Sequence, residues 1–426
     1  MVFRKFDRLL FAKGETTAGT KIGITTSADF YEVIEPTFTI TPLMFERFTK
    51  SQTLTPQVQT VPGTTMALPV ATCEISFGVE MAGPGSGVAT GTAPKVGAML
   101  KACGFVEEDV YAYTVAAAYT GGPFFHNENI EGTGGAYSAS DGVSWSCNAY
   151  GDTEFLASTA GALTTTAIKS QHSGATVTAG GTGAGTRIGV GYSPSTAYTG
   201  DLAGSTMTMR LYLGGAAYVE VIGCKGTVDF TFTHGDRCVM NFTFQGVLDT
   251  YTEAAVPTDG TYTAEVPPAF INTGLSLGPD TSASAYYTDA LFNSMSLTVG
   301  NEITVRENTN SAKGFSMGII TDRSPSLTFN PDAILVAGYN FWTAFLGGTP
   351  ARMRWSVGAT AGNRIDFRVT SGQFTGIADG DRDSVSILDS TTTLTGGSFG
   401  STITTVAGSP SGSSFGSDNE LFILFR

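Results

Sequence analysis

The sequence is poor in the residue types that most often carry enzyme chemistry. Its 426 residues include only 3 histidines and 3 tryptophans, and its 5 cysteines form no C-x-x-C pair. With so few histidines a Ser-His-Asp triad has few possible bases, and no G-x-S-x-G nucleophile elbow is present. The complete nucleotide-binding patterns G-x-G-x-x-G and G-x-x-x-x-G-K-[ST] are also missing. The sequence therefore predicts a protein that is not an enzyme and binds no cofactor.

Positive charge is scarce as well, and long apolar runs are missing. Lysine and arginine together number 23 against 37 acidic residues, which gives a net charge of −14. An acidic chain does not wrap nucleic acid by neutralising phosphates, although its repulsion suits a surface past which DNA must slide. In the basic start MVFRKFDRLLFAKGE the apolar run LLFA is too short for a signal peptide, and no segment is long enough to span a membrane. We therefore expect a soluble intracellular chain, without export by the general route and without membrane insertion.

The cysteines give no sign of a disulfide framework. Their number is odd and their spacing is irregular, as the positions show: Cys73, Cys103, Cys147, Cys224 and Cys238. We therefore expect reduced, mostly buried thiols in a chain that is made in a cytoplasm.

The residues that are abundant indicate strands. The chain has 54 glycines with many threonines, serines and alanines, and apolar residues alternate with threonine in PTFTIT and FRVTS. Alternation with a period of two is typical of half-buried strands, whereas runs at helical spacing are scarce here. The sequence therefore predicts a mainly β fold of short strands joined by turns. The stretch ELFILFR is expected to be a buried strand that returns to a sheet.

A weak repeat divides the chain into two copies. MRLYLG at 209–214 corresponds to MRWSVG at 353–358, and a GDR turn follows each, at 235–237 and at 380–382. A strand-like stretch and a short apolar helix candidate precede each copy of this motif. The order strand, helix, strand pair, GDR turn, strand therefore occurs twice, which indicates a duplicated β unit.

The first copy contains an insertion. The stretch from Phe77 to Met209 exceeds the corresponding stretch from Phe329 to Met353 by on the order of 100 residues, more than a loop of a compact domain holds. We interpret the excess as a small inserted all-β domain. The predicted division is 1–106 and 206–250 for the first unit, 107–205 for the insertion, 251–290 for a linker and 291–426 for the second unit.

The stretch GCKGTVDFTFTHGDRCVMNFTFQGVL is predicted to be a hairpin. For its Phe and Met residues to face one core, Phe232 should pair with Met240 and Phe230 with Phe242, around a three-residue turn at 235–237. The other face then carries polar side chains that point outward, namely Asp229, Thr231, Asn241 and Thr243.

The same stretch holds three groups that could bind a metal. The predicted register sets His234 directly opposite Cys238, which brings two potential ligands together. Zinc sites need three or four protein ligands, and Cys224 lies too far along the strand to join the pair. The pattern therefore favours a hairpin with a buried cysteine over a metal site.

An acidic pattern in the second copy resembles the start of a calcium loop. The spacing Asp379-x-Asp381-x-Asp383 fits, but Ser384 stands where the loop needs glycine and Ser390 where it needs glutamate. The pattern is therefore interpreted as a solvated acidic turn.

Six stretches carry a likeness to a known family. The first copy has LLFAKGETTAGT, GTAPKVGAMLKACGF and YVEVIGCKGTVDFTF, and the second has SLTVGNEI, RSPSLTFNPDA and GNRIDF. As an ordered set, spread over most of the chain outside 107–205, they resemble the major tail tube proteins of long-tailed bacteriophages.

This resemblance implies two tandem β-sandwich or barrel domains, each with a short flanking helix. In that family such domains form rings, and the rings stack into a hollow tube with an acidic lumen through which double-stranded DNA passes non-specifically. Most members have one domain per chain and six per ring, so two domains per chain predict trimeric, pseudo-hexameric rings. The expected partners are further copies and the tail proteins at the tube ends. The expected location is the phage virion, after synthesis in the bacterial host cytoplasm.

The resemblance also assigns contacts between rings to long loops. Polar segments at 48–66 and 307–323 occupy corresponding places between the early strands of the two copies. The predicted contact residues in them are Thr53, Thr55, Val58, Val61, Lys313, Phe315 and Met317.

Two other functional classes compete with a tube. One is a capsid-decorating or receptor-binding virion protein with Ig-like domains, for which two equivalent units have no obvious use. The other is a carbohydrate-active β-sandwich enzyme whose sugar site Trp145, Trp342 or Trp355 could line. Trp342 and Trp355 fall at core positions of the repeat, however, which favours packing over sugar binding.

Overall fold

The structure is a computed structural model. It describes residues 8–24, 27–46, 65–85, 92–114, 130–133, 146–147, 154–157, 167–170, 176–178, 186–194, 205–214, 217–256, 265–279, 290–334, 339–395 and 420–426.

Strands dominate these residues, which confirms the predicted mainly β fold. The helices are a single 3-10 turn (Ser27–Asp29), α1 (Gly97–Ala102) and α2 (Phe341–Leu346). The strands are β1 (Leu9–Gly14), β2 (Phe30–Tyr31), β3 (Ile34–Glu46), β4 (Thr65–Glu80), β5 (Phe105–Thr114), β6 (Ile130–Thr133), β7 (Ser146–Cys147), β8 (Glu154–Ala157), β9 (Ala167–Ser170), β10 (Thr176–Thr178), β11 (Thr186–Pro194), β12 (Met207–Leu213), β13 (Ala217–Thr233), β14 (Val239–Glu253), β15 (Ser276–Pro279), β16 (Phe292–Thr298), β17 (Asn301–Glu307), β18 (Phe315–Arg323), β19 (Ser326–Pro331), β20 (Ala351–Val357), β21 (Ile365–Arg382), β22 (Val385–Leu394) and β23 (Leu421–Phe425).

Two series of strands have the same pairing order. The first series is β1-β12-β13-β14-β4-β3, and the second is β15-β20-β21-β22-β19-β16. Every pair in both series is antiparallel. In chain order α1 lies between β4 and β12, and α2 lies between β19 and β20. The equivalent strands therefore also occur in the same place relative to the helix.

The two series share a β-bulge at the same place. Between Met207 and Met209, β12 advances by two residues while its partner β13 advances by three. The same difference occurs between Ala351 and Met353 of β20 and their partners on β21. A bulge is a local feature that is preserved within protein families. The partners concerned are Cys224 and Val221 in the first series and Gly372 and Val369 in the second.

One hydrophobic core serves both series. Phe232 of β13 packs edge-on against Trp355 of β20 and Phe367 of β21, with ring centroids 5.9 Å and 5.2 Å away. Trp355 and Phe367 are stacked at 5.1 Å, and all three side chains are fully buried. The same buried cluster extends from Leu10 in β1 to Phe425 in β23.

The hairpin of β13 and β14 forms, but its predicted register is wrong by two residues. Phe230, not Phe232, pairs with Met240, and Val228 pairs with Phe242. Phe232 and Thr233 extend beyond β14 and pair with β16 instead. The core face is preserved, because a shift of two residues leaves every side chain on the same side of the strand.

The predicted GDR turn exists only in the first copy. Gly235-Asp236 lies in the turn after β13, whereas Gly380-Asp381-Arg382 ends β21 and pairs with the start of β22. The turn in the second copy is Asp383-Ser384, whose φ angles are 53° and 69°. Positive φ at both central residues is the requirement of a two-residue type I′ hairpin loop.

Trp342 does not occupy the core position that the repeat suggests. It is 46% exposed on α2, and the buried side chains of that helix are Phe341 and Ala344. Trp355 is fully buried, as expected.

The segment predicted to be a linker contributes to the fold. β15 lies within it, and Phe270, Leu275 and Leu277 are buried in the common core. Residues 251–253 end β14 of the first series and residues 276–279 form β15 of the second, so the described residues of 251–290 belong to both series.

The segment predicted as an insertion begins and ends in paired strands. β5 pairs antiparallel with β11, so that Ala112 lies beside Thr186, and β11 in turn pairs with β23. β5 starts at Phe105, so the predicted boundary after residue 106 lies inside this strand. Further short strands, β6 to β10, occur between β5 and β11.

Two smaller predictions are confirmed. All five residues of β23, in the stretch ELFILFR, are buried, and the strand lies between β21 and β11. Cys73, Cys103, Cys224 and Cys238 are free and buried.

Candidate assembly interface

Among the described strands, the two series pair with each other where β13 lies beside β16. Residues 229–233 of β13 form antiparallel pairs with residues 294–298 of β16. Phe230 lies opposite Leu297 and Phe232 lies opposite Met295, and all four side chains are buried. We call this contact the internal junction.

A short segment before β15 reinforces the internal junction. The Phe270 amide donates to the Asp236 carbonyl at 2.8 Å, and the Gly235 amide donates to the Phe270 carbonyl at 3.2 Å. The Phe270 ring lies 5.2 Å from that of Phe232. The turn of the first series is thus bonded to the chain that leads into the second.

The first series leaves an open edge on β3. Among the described residues β3 pairs only with β4, so its other side has unpaired backbone groups. Phe38 and Ile40 point toward the core but are only partly buried, because no strand among the described residues continues the sheet beyond them. Pro36 and Pro42 lie in this strand, and proline is tolerated in sheets chiefly at edges.

The second series leaves an open edge on β21. Up to Gly372 both sides of β21 are paired, but residues 373–382 pair only with β22 in the part of the chain that the structure describes. This stretch is the counterpart of the part of β13 that forms the internal junction. Ile377 faces the core there and is only partly buried. An unpaired, partly apolar edge is a template for pairing with another chain.

The face of the sheet opposite the core is polar, as the hairpin alternation predicts. Thr231 and Asn241 are exposed, and Asp229 pairs directly with Asn241. Burial raises the pKa of Asp229, and a hydrogen bond with Thr298 only partly offsets this effect. This surface therefore carries hydroxyl, amide and carboxyl groups.

The three predicted contact residues at 307–323 lie against the first series of the same chain. Phe315 packs with Ile222 and Val247, and the Lys313 amine binds Asp249. Met317 lies against Gly223, where a Cβ would come within 2.9 Å of the Met317 Cβ. Their role between rings stays a prediction. The other four predicted residues, Thr53, Thr55, Val58 and Val61, lie outside the described residues.

Asp249 of β14 joins three distant parts of the chain. Its carboxylate binds Lys313 of the segment between β17 and β18, and it lies 2.8 Å from the amine of Lys21. Lys21 also binds the buried Glu220 at 2.5 Å, and Arg210 lies 2.7 Å from the same carboxylate. Burial of Asp249 opposes its ionisation, but the two lysines outweigh burial and lower its pKa.

Replacing this carboxylate should loosen the β17–β18 hairpin. We expect Asp249→Asn to lower the free energy of unfolding by about 1 kcal/mol at neutral pH, because the ion pairs are partly exposed and screened. The pKa of Asp249 is lowered on folding, so its contribution is present above the unfolded pKa of about 3.9 and is lost as the pH falls through the folded value. The free energies of unfolding of the two proteins, measured by urea titration, should therefore become equal in strongly acidic buffer. A gap that persists there would contradict the ionic interpretation.

The hairpin groups considered as metal ligands are not brought together. Because the register is shifted, His234 is not opposite Cys238; His234 is exposed in the turn while Cys238 is buried. Burial raises the pKa of the Cys238 thiol to about 12, so it is a poor source of thiolate. Within the described ranges, no three His, Cys, Asp or Glu side chains are grouped as metal ligands.

No family model matches the chain, and no curated protein sequence matches it.

In the described part of the chain, no helix has the length and apolar character needed to cross a bilayer.

Proposed function

We propose that the chain is a structural protein whose copies join edge to edge into closed rings, and that the rings stack into the tail tube of a long-tailed bacteriophage. The observation that carries the proposal is the repeated strand order. Among the described residues it joins β13 to β16 within one chain and leaves the equivalent strands, β21 and β3, without a partner on one side.

The open edges are complementary because of the duplication. β21 of the second series corresponds to β13 of the first, and β3 corresponds to β16. If a second copy places its β3 beside β21, the new contact repeats the internal junction with the same relation between strands. Such a head-to-tail contact generates a ring when its rotation closes.

The proposed ring contains three chains. Each chain supplies two ring-forming units, the first ending at its junction with β16 and the second at β21, so three chains supply six. The recurrence of the bulge between β12 and β13 at β20 and β21 supports two units of one origin. The insertion after β5 would then decorate the tube exterior.

A tube for DNA fits the charge and the surface chemistry. The net charge of −14 disfavours adhesion to a polyanion, and the sheet face around Thr231 and Asn241 is polar without being basic. We propose that double-stranded DNA passes through the lumen without specific contacts. No catalytic step is required of the chain.

Negative-stain microscopy of the concentrated protein tests this function. We expect rings or tubes with a central hole, and a ring mass of three chains by native mass spectrometry. Isolated monomers over a wide range of concentration and salt would count against the proposal. Closed rings with another number of chains would retain the tube and refute the trimer.

A further inference from the structure

We propose that the ring-closing contact is ionic, in contrast to the apolar internal junction. In this contact Asp379 and Asp381 on the open edge of β21 meet Arg8 beside the open edge of β3 in a second copy. The inference rests on the proposed function, because it names the groups that join the two edges.

The position of the acidic residues follows from matched pairs in the two series. Val228 pairs with Phe242, which pairs with Phe77; Ile377 pairs with Ser390, which pairs with Phe329. Phe77 and Phe329 are corresponding residues of the repeat, so Ile377 occupies the place of Val228. The next two core-facing positions are then Asp379 in place of Phe230 and Asp381 in place of Phe232.

The position on β3 follows in the same way. Phe38 pairs with Ile75, two residues before Phe77, and Leu297 pairs with Leu327, two residues before Phe329. Phe38 therefore occupies the place of Leu297, and Pro36 that of Met295. If the ring-closing contact has the same residue pairing as the internal junction, Asp379 lies opposite Phe38 and Asp381 lies opposite Pro36.

Arg8 lies at these two β3 residues. Its guanidinium donates to the Pro36 carbonyl oxygen at 2.6 Å and lies 5.6 Å from the centroid of the Phe38 ring. The carboxylates opposite are exposed: Asp379 accepts only from the Ser386 hydroxyl at 3.0 Å, and Asp381 from the Ser384 amide at 3.3 Å, in the described structure. Arg8 and the two aspartates thus carry opposite charges at the core-facing positions, where the internal junction has apolar side chains.

Charged residues at the ring-closing contact, in place of the apolar residues of the internal junction, have a physical reason. Aspartate at core-facing positions of an open edge opposes non-specific strand pairing, because its charge would be buried without a partner. An edge that supplies a cation at the matching place removes this cost, so the pairing is selective for the correct partner. Charge pairs of this kind also speed encounter and weaken as salt screens them.

A charge exchange tests the contact directly. We expect Asp379→Arg and Arg8→Asp each to raise the concentration at which rings form by at least about tenfold, since each places like charges opposite one another. A chain with both substitutions should recover most of the loss, because the pair is restored with reversed sign. Mass photometry across a dilution series provides the readout.

Glu253→Arg is the matched control. Glu253 is an exposed acidic residue at the end of β14, nine residues along the strand from Phe244, whose row contains Phe38, and its replacement changes the net charge equally. The concentration at which rings form should stay within about twofold of the wild-type value, because surface substitutions away from a contact usually have small effects. Circular dichroism verifies that all four variants are folded.

The salt dependence of the wild-type chain gives a second readout that needs no variant. Raising the salt to about 0.5 M should weaken ring formation if the contact is ionic, whereas an apolar contact would hold or strengthen. Rings that form equally well in Asp379→Arg and in high salt would overturn the ionic contact and leave the tube intact. A wild-type chain that never forms rings would overturn both.

Discussion

A chain that carries Thr39→Cys and Ala378→Cys is expected to become a closed covalent oligomer under oxidising conditions. Asp229 pairs with Thr298 in the internal junction, and the same correspondence sets Ala378 opposite Thr39 of the next copy. Both side chains are exposed. Directly opposed residues have Cβ atoms about 4.5–5.5 Å apart, close enough for a disulfide after a small adjustment. Nearly all of the chain should run as a trimer or a cyclic trimer in a denaturing gel without reductant.

The control moves one cysteine along the strand. Thr41→Cys is also exposed and faces the same side as Thr39, but it lies two residues out of register with Ala378. We expect far less cross-linking from the pair Thr41→Cys and Ala378→Cys, and single substitutions should give none beyond background. Equal cross-linking of both pairs would show that the edges do not meet in one defined register. Absence of linkage in both, together with normal rings in the microscope, would place the ring contact elsewhere.

Phe232→Ala is expected to destabilise both halves of the molecule together. The side chain is fully buried, and its ring lies within 6 Å of those of Phe270, Trp355 and Phe367, so its removal leaves a cavity where the two series meet. Truncation of a buried phenylalanine typically lowers the free energy of unfolding by about 3–5 kcal/mol. The loss should appear as one shifted transition in a urea titration followed by tryptophan fluorescence, because Trp355 of the second series contacts the substituted site.

Phe38→Ala provides the comparison. Phe38 points toward the same core but is only partly buried at the open edge of β3, so its truncation should cost about 1–2 kcal/mol in the monomer. Two separate transitions, of which Phe232→Ala moves only one, would mean that the series fold independently. That result would contradict the common core as a single cooperative unit.

The alternation of apolar and polar residues predicted the strands but could not fix how they pair. In the hairpin of β13 and β14 the faces were predicted correctly, yet the register was wrong by two residues. Any shift by an even number keeps Phe230, Phe232 and Met240 on the core side, so the pattern is equally satisfied by several registers. The observed register leaves Phe232 and Thr233 beyond β14, where they pair with β16, a strand that is distant in sequence.

The candidate interface was predictable only in part. The repeat and the proline-containing stretch PTFTIT could be recognised, but an open edge is a property of the whole strand order, which depends on long-range pairing. Trp342 shows the limit for helices: α2 is too short for a periodicity that would tell its buried side from its exposed side. Asp379 and Asp381 were interpreted as part of a solvated turn, whereas they lie in β21, and their place at a sheet edge emerged only from the pairing.

The antiparallel pairing of β5 with β11 makes the molecule a candidate scaffold for displaying foreign domains. Because Ala112 and Thr186 are neighbours across this pair, the segment between them begins and ends at a single place. A guest domain whose own termini lie close together can be spliced between these strands without stretching either one. In the proposed tube each copy would carry one guest, so the spacing of guests would be set by the repeat distance of the tube and not by linker length.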